Sequence, residues 1–430
     1  MKEAGVVEVW EKAVRSGRCL RTVDEMPVRV LYPGRPSDQP GADFQDAVVD
    51  IGGRVVKGNV EIHVRSGDWR AHGHHRDAAY NGVVLHVVMW HDGEPLTDLE
   101  NGAGIPVVAL DGQPGRGGRQ ARALPLPCRG ASERDGIMAA VDHAGDDRFR
   151  EKAATFAGEL RVTDAGQCLY RGIMTALGYA RNQSPFRLVA DQLPLARLEA
   201  VARSQTGAAA VAGMEALLLG TAGFLPSQRP GFMADWHSWL DAVERQWRAS
   251  GPARGLTHHD WSLFRVRPGN HPARRLAGMA RLLWRCHGPG LLATLSAALE
   301  TANGWPGLID ALTVAADGYW ADHCDFGGVC RGLDGFLIGK SRAADIVVNI
   351  VLPFAAALSE AAGHPGLAAT ALALYETCPP AAENAIERHL RAQLGLKPSV
   401  INTARRQQGL LHLYKRFCTQ GRCGECALVN

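Results

Sequence analysis

Two hydrophobic patterns divide the chain near residue 125. Before that point apolar and polar residues alternate with a period of two, in segments interrupted by glycine, proline and aspartate. This alternation is typical of strands that bury one face. It occurs at residues 28–32, 47–51 and 58–64, while the continuous apolar run 83–89 predicts a strand that is buried on both faces.

From about residue 150 onward, apolar residues recur at the i, i+3, i+4 spacing of amphipathic helices. Segments with this spacing are 156–160, 169–177, 208–219, 236–247, 276–284, 291–299, 343–358, 381–394 and 404–417. The chain is therefore predicted to be α+β, with a β-rich N-terminal module, a larger all-α region and a cysteine-containing tail. The predicted boundaries are 1–125 for the β module, 126–155 for a connecting segment, 156–380 for the helical domain and 381–430 for a basic helical hairpin with the tail.

Composition narrows the class of protein. The 430 residues are 46% hydrophobic and 21% charged with a net charge of +3, which excludes a disordered chain and a general polycation. The apolar runs are too short or too interrupted to predict a membrane span. We therefore expect a cytoplasmic protein with no membrane partner, in which the ten cysteines serve as thiols or metal ligands rather than disulfides.

Polar side chains line one face of the predicted strand at 58–64. Glu61, His63 and Arg65 share that face because successive side chains of a strand point to opposite sides. Asp43 lies 18 residues before Glu61, a spacing that suits two neighbouring strands. Two carboxylates could hold Mg²⁺ or Mn²⁺, and His63 could orient or deprotonate a water molecule. The alternative is an edge strand with a solvated polar face.

A second group of possible ligands follows directly. His72, His74 and Asp77 lie within six residues, and imidazoles with a carboxylate suit Zn²⁺, Mn²⁺ or Fe²⁺. The alternative is a polar loop whose histidines brace the sheet, and this is the preferred interpretation for His75 and Arg76.

The segments around Asp43 and Glu61 resemble the active-site strands of the restriction-endonuclease-like (PD-(D/E)XK) nucleases. That family places an Asp at the start of one strand and an acid-x-Lys on the next, so the resemblance implies a divalent metal at Asp43 and Glu61. His63 stands where the family usually has Lys, and Ala42 where it has Pro. The longer run from Gly41 to Val88 resembles the hallmark of an uncharacterised bacterial family that is catalogued only as a domain of unknown function. Further matching pieces extend to the C-terminal cysteines, and no established activity comes with this resemblance.

The C-terminal tail concentrates thiols. Cys418, Cys423 and Cys426 lie within nine residues, a spacing that suits Zn²⁺ or a [4Fe-4S] cluster with a fourth ligand from elsewhere. Cys128 is the first candidate for that ligand, since it resembles a Pro-Cys that follows the β module in the same family. Cys378 is the second, and reactive thiols without metal are the alternative.

Basic residues are also unevenly distributed. Between residues 388 and 422 there are eight Lys or Arg and no Asp or Glu, which predicts a surface that binds nucleic-acid phosphates. Separately, Arg274 and Arg275 lie at a predicted helix start, which predicts a second anion site. For the segment 388–422 the alternative is a solvated basic face. For the arginine pair it is an ion pair with a carboxylate such as Asp260. The candidate phosphate-binding residues are Arg274, Arg275, Arg405, Arg406, Lys415 and Arg416.

Three functions follow from these patterns. The first is a metal-dependent nuclease or related phosphodiester hydrolase that uses Asp43, Glu61 and His63. The second is a nucleic-acid-binding protein without turnover. The third is a zinc- or iron-dependent small-molecule enzyme built on His72, His74 and Asp77. If the two carboxylates lie within about 5 Å of each other, one ion could bridge them and the first two functions are favoured; if the histidines converge, the third is favoured.

Overall fold

The computed structural model describes residues 1–37, 41–111, 134–235, 237–250, 255–264, 266–301, 304–363 and 365–428. An eight-stranded sheet forms from the N-terminal part of the chain and helices dominate the rest, which confirms the predicted α+β class. Two compact units are present. The first comprises Met1–Arg148 together with Glu383–Asn430, and the second is Phe149–Ala382. The basic C-terminal segment thus belongs to the same unit as the sheet.

The sheet is mixed. Its strands are β1 (Leu20–Arg21), β2 (Pro27–Tyr32), β3 (Arg35–Pro36), β4 (Phe44–Ile51), β5 (Arg54–Arg65), β6 (Val83–Trp90), β7 (Leu96–Asp98) and β8 (Gly104–Ala109). They lie in the order β1-β2-β4-β5-β6-β8-β7, with β3 paired to β4. Pairing is antiparallel from β1 to β5 and between β7 and β8, whereas β6 runs parallel to both β5 and β8.

Helix α1 (Glu3–Arg15) covers one face of this sheet. Its Val6 and Trp10 are completely buried among apolar residues of the central strands, including Val60 and Ile62 of β5. Each fully buried side chain of this size contributes about 1.5–3 kcal/mol relative to exposure. Because Val60 and Ile62 point toward α1, their neighbour Glu61 must point to the opposite face.

The opposite face is covered by two sets of residues. Over β2 and β4, Tyr32 and Val48 pack against three helices, which are α3 (Arg134–Leu160), α15 (Ala385–Leu394) and α16 (Ala404–Arg416). Over β5 and β6 a smaller cluster forms around Trp69 of the short helix α2 (Asp68–Ala71). The polar residues of β5 lie under this second cluster.

The second unit is helical, and its first boundary falls inside α3. Its further helices are α4 (Ala165–Leu177), α5 (Gln183–Gln192), α6 (Leu195–Ser204), α7 (Gly207–Thr221), α8 (Ser238–Ala249), α9 (Pro272–Arg285), α10 (Leu291–Glu300), α11 (Gly304–Leu312), α12 (Lys340–Ile346), α13 (Leu352–Ala362) and α14 (Pro365–Thr377). Strands β9 (Val314–Ala315) and β10 (Phe336–Ile338) form a separate two-stranded sheet.

By length and composition alone, two helical segments of the described chain could cross a membrane. They are Gly207–Gln228 and Lys340–Ala361, and 83% and 67% of their most apolar windows are buried. Such burial is typical of core helices in a folded domain.

One cysteine pair departs from the expectation of free thiols. Cys324 and Cys330 form a disulfide in the second unit, with their Cα atoms 6.0 Å apart. The expectation that the cysteines serve only as thiols or metal ligands was therefore wrong for this pair. The two cysteines are six positions apart in the sequence, so the loop itself brings them within bonding distance.

Candidate metal centre

Asp43 and Glu61 hold each other in place across two paired strands. Asp43 directly precedes β4, whose Phe44 is paired with Val60 of β5. The backbone N–H of Asp43 donates to Oε2 of Glu61 at 3.0 Å, and the backbone N–H of Ile62 donates to Oδ2 of Asp43 at 2.9 Å. The 18-residue spacing thus does bring the two acids onto neighbouring strands. Reciprocal hydrogen bonds to the backbone fix both carboxylates.

Three imidazoles converge beside Glu61. His63, His72 and His74 each offer a ligand atom, and these atoms lie within 4.8 Å of one another. His63 belongs to β5, His72 follows α2, and His74 begins a single turn of 3₁₀ helix. Gly73 between the last two has a φ of 79°, a left-handed conformation that glycine adopts without strain. This turn brings both loop histidines to the strand. In the described residues, no other group of three potential ligands is as close.

Glu61 approaches two of these rings without forming hydrogen bonds to them. Its Oε1 lies 3.4 Å from Nε2 of His74 and 3.7 Å from Nε2 of His63. Glu61 and His63 are only 6% and 1% exposed. Buried polar groups are normally hydrogen-bonded, so a carboxylate facing two ring nitrogens at these distances is an arrangement that an additional cation would satisfy.

Burial also changes the protonation of the cluster. It raises the pKa of Glu61 to about 8, and the nearby charge of Asp43 adds to this shift. Burial lowers the pKa of His63 to about 4, with smaller contributions from His74 and His72. His63 and His74, whose pKa burial also lowers, are thus neutral at physiological pH, the form that binds metals. A bound divalent cation would displace the proton of Glu61 and favour its ionised form.

The donor set determines which metals fit. Three imidazoles with one carboxylate suit first-row transition metals such as Zn²⁺ and Fe²⁺, whereas Mg²⁺ prefers oxygen ligands. The residues therefore fit a zinc or iron ion better than the magnesium ion predicted from Asp43 and Glu61 alone. The side chain of His72 is 48% exposed, so the centre opens to solvent on that side.

Two further buried residues extend the cluster behind His63. Nδ1 of His63 lies 2.9 Å from Nε2 of His86 on β6, and Nδ1 of His86 lies 2.8 Å from Oγ1 of Thr97 on β7. His86 is completely buried, and burial lowers its pKa to about 3. His86 pairs directly with Glu61 in the parallel β5–β6 register, which places both side chains on the same face.

Aromatic rings and one more acid surround the histidines. Tyr80 packs against His74 with ring centroids 3.8 Å apart, and Trp69 lies against both His74 and His63. Oε1 of Glu3, at the start of α1, lies 3.9 Å from Nδ1 of His72. Its charge contributes to the raised pKa of Glu61. The centre therefore has an apolar wall on one side and carboxylates on the other.

Comparison with known families identifies the chain at the level of its family. A family described as "Protein of unknown function (DUF2851)" matches residues 3–384. The chain belongs to the DUF2851 family. Neither a curated protein nor a solved structure matches it. The family match confirms the resemblance to an uncharacterised family, and it includes every residue of the histidine cluster. The cysteines at 418–426 lie beyond the matched range.

Not every predicted ligand of this DUF2851 protein joins the centre. Asp77 is exposed, and its Oδ1 accepts a hydrogen bond from the N–H of Ala79 at 2.9 Å. It caps a turn of 3₁₀ helix. In the group of three imidazoles, His63 stands beside His72 and His74 where the sequence had suggested Asp77.

The predicted anion site at Arg274 and Arg275 is not supported. Arg274 is completely buried and donates to backbone carbonyls of Trp320, His323 and Phe336. Arg275 is 4% exposed and donates to the carbonyl of Leu337, to Tyr179 and to Asn270. Both guanidiniums are occupied by oxygen acceptors inside the second unit, so they are not positioned to bind a phosphate.

The basic C-terminal surface also has fewer residues available to phosphates than the sequence predicted. Arg405 forms a two-point ion pair with Asp146, and Arg406 forms another with Asp142. Both acids belong to α3, more than 250 residues earlier in the chain, which explains why the local sequence contained no partner. The expectation that Arg405 and Arg406 are free to meet phosphates was therefore wrong. Lys415 and Arg416 are exposed.

The cysteines do not assemble a four-ligand site among the described residues. Cys418 and Cys426 are buried, and Cys423 is partly exposed. Cys423 and Cys426 are close enough that the second raises the pKa of the first, although burial is the larger cause. Cys128 lies outside the described residues. Cys378 belongs to the second unit, where its thiol donates to the carbonyl of Tyr375.

Sequence reasoning missed three residues of the centre, namely Glu3, His86 and Thr97. His86 carried a usable signal, because it is the one polar residue in the apolar run of β6. A polar residue inside a buried strand needs a partner, and the histidine-rich segment nearby offered one. Glu3 and Thr97 carried no comparable signal, since only the folded sheet and α1 bring them to the histidines.

Proposed function

We propose that this protein is a metal-dependent hydrolase with one zinc or iron(II) ion held by His63, His72, His74 and Glu61. The observation that carries this proposal is the convergence of the three imidazoles beside a buried carboxylate. Catalytic zinc sites usually have three protein ligands and a water molecule, so with these four ligands the water would be a fifth. The exposed side of His72 is where this fifth position would meet solvent.

Each residue would have a distinct role. The three imidazoles and Glu61 would hold the ion, which when bound supplies a water of lowered pKa as the nucleophile. The N–H of Asp43 keeps the Glu61 carboxylate in its orientation. Glu3 is half exposed near Nδ1 of His72, so it would orient that ring from the solvent side.

Phosphodiesters are the first substrate class to test. Two carboxylates at the start of β4 and on β5, followed by a histidine two residues later, support the resemblance to the PD-(D/E)XK nucleases. The exposed Lys415 and Arg416 would still offer charge for a phosphate backbone in this nuclease interpretation. Binding of nucleic acid without turnover remains the predicted alternative if the metal site is purely structural.

A small-molecule substrate is the second candidate, and the convergence of the three histidines favours it. It is also favoured by the pairing of Arg405 and Arg406 and by the burial of Arg274 and Arg275, because these contacts remove four of the six predicted phosphate-binding residues. The centre and its ligands are the same in both proposals. Only the substrate differs.

The test is metal content followed by hydrolysis. Protein purified without oxygen should contain close to one equivalent of zinc or iron at this centre, in addition to any metal held by the cysteine tail, and hydrolyse bis(p-nitrophenyl) phosphate, DNA or RNA. His74→Ala should lose both metal and activity, whereas the matched control His75→Ala should retain them, since His75 lies outside the cluster. Equal metal content in the two variants would contradict the centre. Metal without phosphodiester cleavage would favour the small-molecule substrate.

We also propose that the cysteine tail binds a structural zinc ion or a [4Fe-4S] cluster. The proximity of Cys423 and Cys426 supports it. Cys423→Ser should lower the zinc or iron content beyond that of the histidine centre and reduce the soluble yield, because such ions contribute folding energy directly. Full metal occupancy in that variant would refute this second site.

A further inference from the structure

His63, His86 and Thr97 form a hydrogen-bonded row that permits only two arrangements of its protons. Each imidazole in the row is neutral and carries one N–H, and each link between rings contains a single proton. In the first arrangement Nδ1–H of His63 donates to His86, whose Nδ1–H then donates to Thr97. In the second the hydroxyl of Thr97 donates to His86, and Nε2–H of His86 donates to His63. The two arrangements differ in the nitrogen of His63 that is left unprotonated.

The geometry around Nε2 of His63 distinguishes them. In the second arrangement this nitrogen carries the proton, and Oε1 of Glu61 at 3.7 Å is too distant to accept it. In the first arrangement every N–H of the row has an acceptor within 2.9 Å, and Nε2 of His63 presents a lone pair toward the cluster. Because a buried N–H without an acceptor is costly, the first arrangement is favoured.

We infer that His86 and Thr97 are positioning residues, which hold the proton of His63 on Nδ1 and leave Nε2 as the metal-binding nitrogen. This inference rests on the proposed metal centre and adds to it a second layer of residues on β6 and β7. Metal-binding histidines generally donate their other N–H to a partner that fixes the ring and its tautomer. Here the partner is another histidine, and Thr97 in turn fixes that histidine.

Removal of the threonine hydroxyl should reverse the row. In Thr97→Val the side chain keeps its shape, but Nδ1–H of the buried His86 loses its acceptor. His86 would then carry its proton on Nε2 and donate it to His63, so the proton of His63 moves to the nitrogen that should bind the metal. Thr97→Ser retains the hydroxyl and should leave the row unchanged.

The experiment measures zinc affinity by competition with a chromophoric chelator, and the visible spectrum of the cobalt(II)-substituted protein. Thr97→Val should weaken zinc binding about 10–100-fold and alter the cobalt spectrum, whereas Thr97→Ser should resemble the unaltered protein. His86→Gln keeps an acceptor near Nδ1 of His63 and should bind zinc more tightly than His86→Leu. Thermal unfolding of all variants with a chelator present separates folding defects from metal affinity.

The outcomes separate the two proposals. If His74→Ala binds as much zinc and cobalt as the unaltered protein, the proposed centre is wrong and the inference falls with it. If His74→Ala loses one equivalent, and Thr97→Val matches Thr97→Ser in affinity and spectrum, the centre stands and the positioning role is refuted. A loss confined to Thr97→Val, with metal-free unfolding like that of Thr97→Ser, supports the role of the row.

Discussion

Two buried polar clusters of this protein both look like ligand sites in the sequence. They differ in how far the folded chain supplies their hydrogen-bond partners. Arg274 and Arg275 lie in the helical unit, and each has its terminal nitrogens bound to carbonyl or hydroxyl oxygens of the chain. Glu61 and His63 lie on β5 and His74 on the loop above it, and Oε1 of Glu61 stays 3.4–3.7 Å from the two ring nitrogens without hydrogen bonds. The terminal nitrogens of the first cluster are occupied, although Nε of each arginine has no hydrogen-bond partner among the described residues. In the second cluster, Oε1 of Glu61 faces the ring nitrogens without such a bond.

The difference separates scaffold from site. A buried guanidinium whose terminal nitrogens donate to oxygens of the chain stabilises the surrounding backbone and is already occupied by the protein's own acceptors. A buried carboxylate beside neutral imidazoles is unfavourable alone, because desolvation raises the pKa of Glu61 and lowers that of His63. A cation between them would compensate both costs. Variants in each cluster should therefore affect different properties.

The largest expected effect concerns the arginine cluster. Arg274→Met should lower the free energy of unfolding by about 3–5 kcal/mol, because it leaves buried carbonyls without donors. Denaturant unfolding of the helical unit measures this loss. Arg245→Met, a change of an exposed arginine of α8, is the matched control and should cost little. Zinc affinity should not change. A loss below 1 kcal/mol in Arg274→Met would contradict a scaffold role.

The second effect concerns Glu61 and the histidine cluster. Glu61→Gln keeps the side-chain shape and removes the charge, so folding should survive while zinc affinity and hydrolysis fall together by about 100-fold or more. Calorimetric titration and an activity assay measure the two losses. Glu94→Gln, on an exposed acid of the same unit, is the control. If the Gln variant binds zinc as tightly as the unaltered protein, Glu61 is not a ligand.

The main elements could be predicted because their signals are local. Alternation along residues 58–64 placed Glu61 and His63 on one face, and the 18-residue spacing placed Asp43 on the neighbouring strand. The density of histidines at 72–75 predicted a metal site near that strand. What the sequence could not decide was which of these candidates converge. That depends on the turn at Gly73, which brings the loop back over β5.

The errors have a common physical cause. Arg405 and Arg406 looked unpaired because no acid lies near them in sequence, yet α3 supplies Asp142 and Asp146. A charge count within a window cannot detect a partner that folding brings from 250 residues away. Separation in sequence also concealed Glu3, whose helix reaches the centre only in the folded sheet.

The third effect is a pH dependence at a buried histidine outside both clusters. His389 lies 2.7 Å from the hydroxyl of Tyr32, and burial lowers its pKa to about 4 from an ordinary value of 6.5. The unfolded chain therefore binds one more proton than the folded chain between these values, so stability is lost as the pH falls from 6.5 toward 4.

Replacing this histidine should flatten that dependence. With a chelator present, His389→Gln should reduce the slope of unfolding free energy against pH by up to about 1.4 kcal/mol per pH unit in that interval. His143→Gln, on the exposed surface of α3, is the control. An unchanged slope in His389→Gln would show that this ring titrates in the folded protein much as it does in the unfolded chain.

The smallest expected effect tests whether the ion pairs of α16 are scaffold. Nucleic-acid binding that depends on phosphate contacts weakens with salt, with a slope of about −0.9 for each contact. The double variant Arg405→Ala, Arg406→Ala should leave that slope unchanged, because both guanidiniums are already occupied by acids of α3. Lys415→Ala with Arg416→Ala should reduce it by about 2 if the exposed end of α16 meets phosphates.

These two double variants distinguish the interpretations by filter binding at several salt concentrations. A reduction of the slope by about 2 in the Arg405, Arg406 variant would mean that the ion pairs open when nucleic acid binds, and the corrected assignment would itself be wrong. If neither double variant changes the slope, α16 is not part of a nucleic-acid surface. In that case the small-molecule substrate gains, because the metal centre would stand without a basic surface on α16. The partly buried pair at Arg405 would then act only within its unit, as the fully buried Arg274 does in the other.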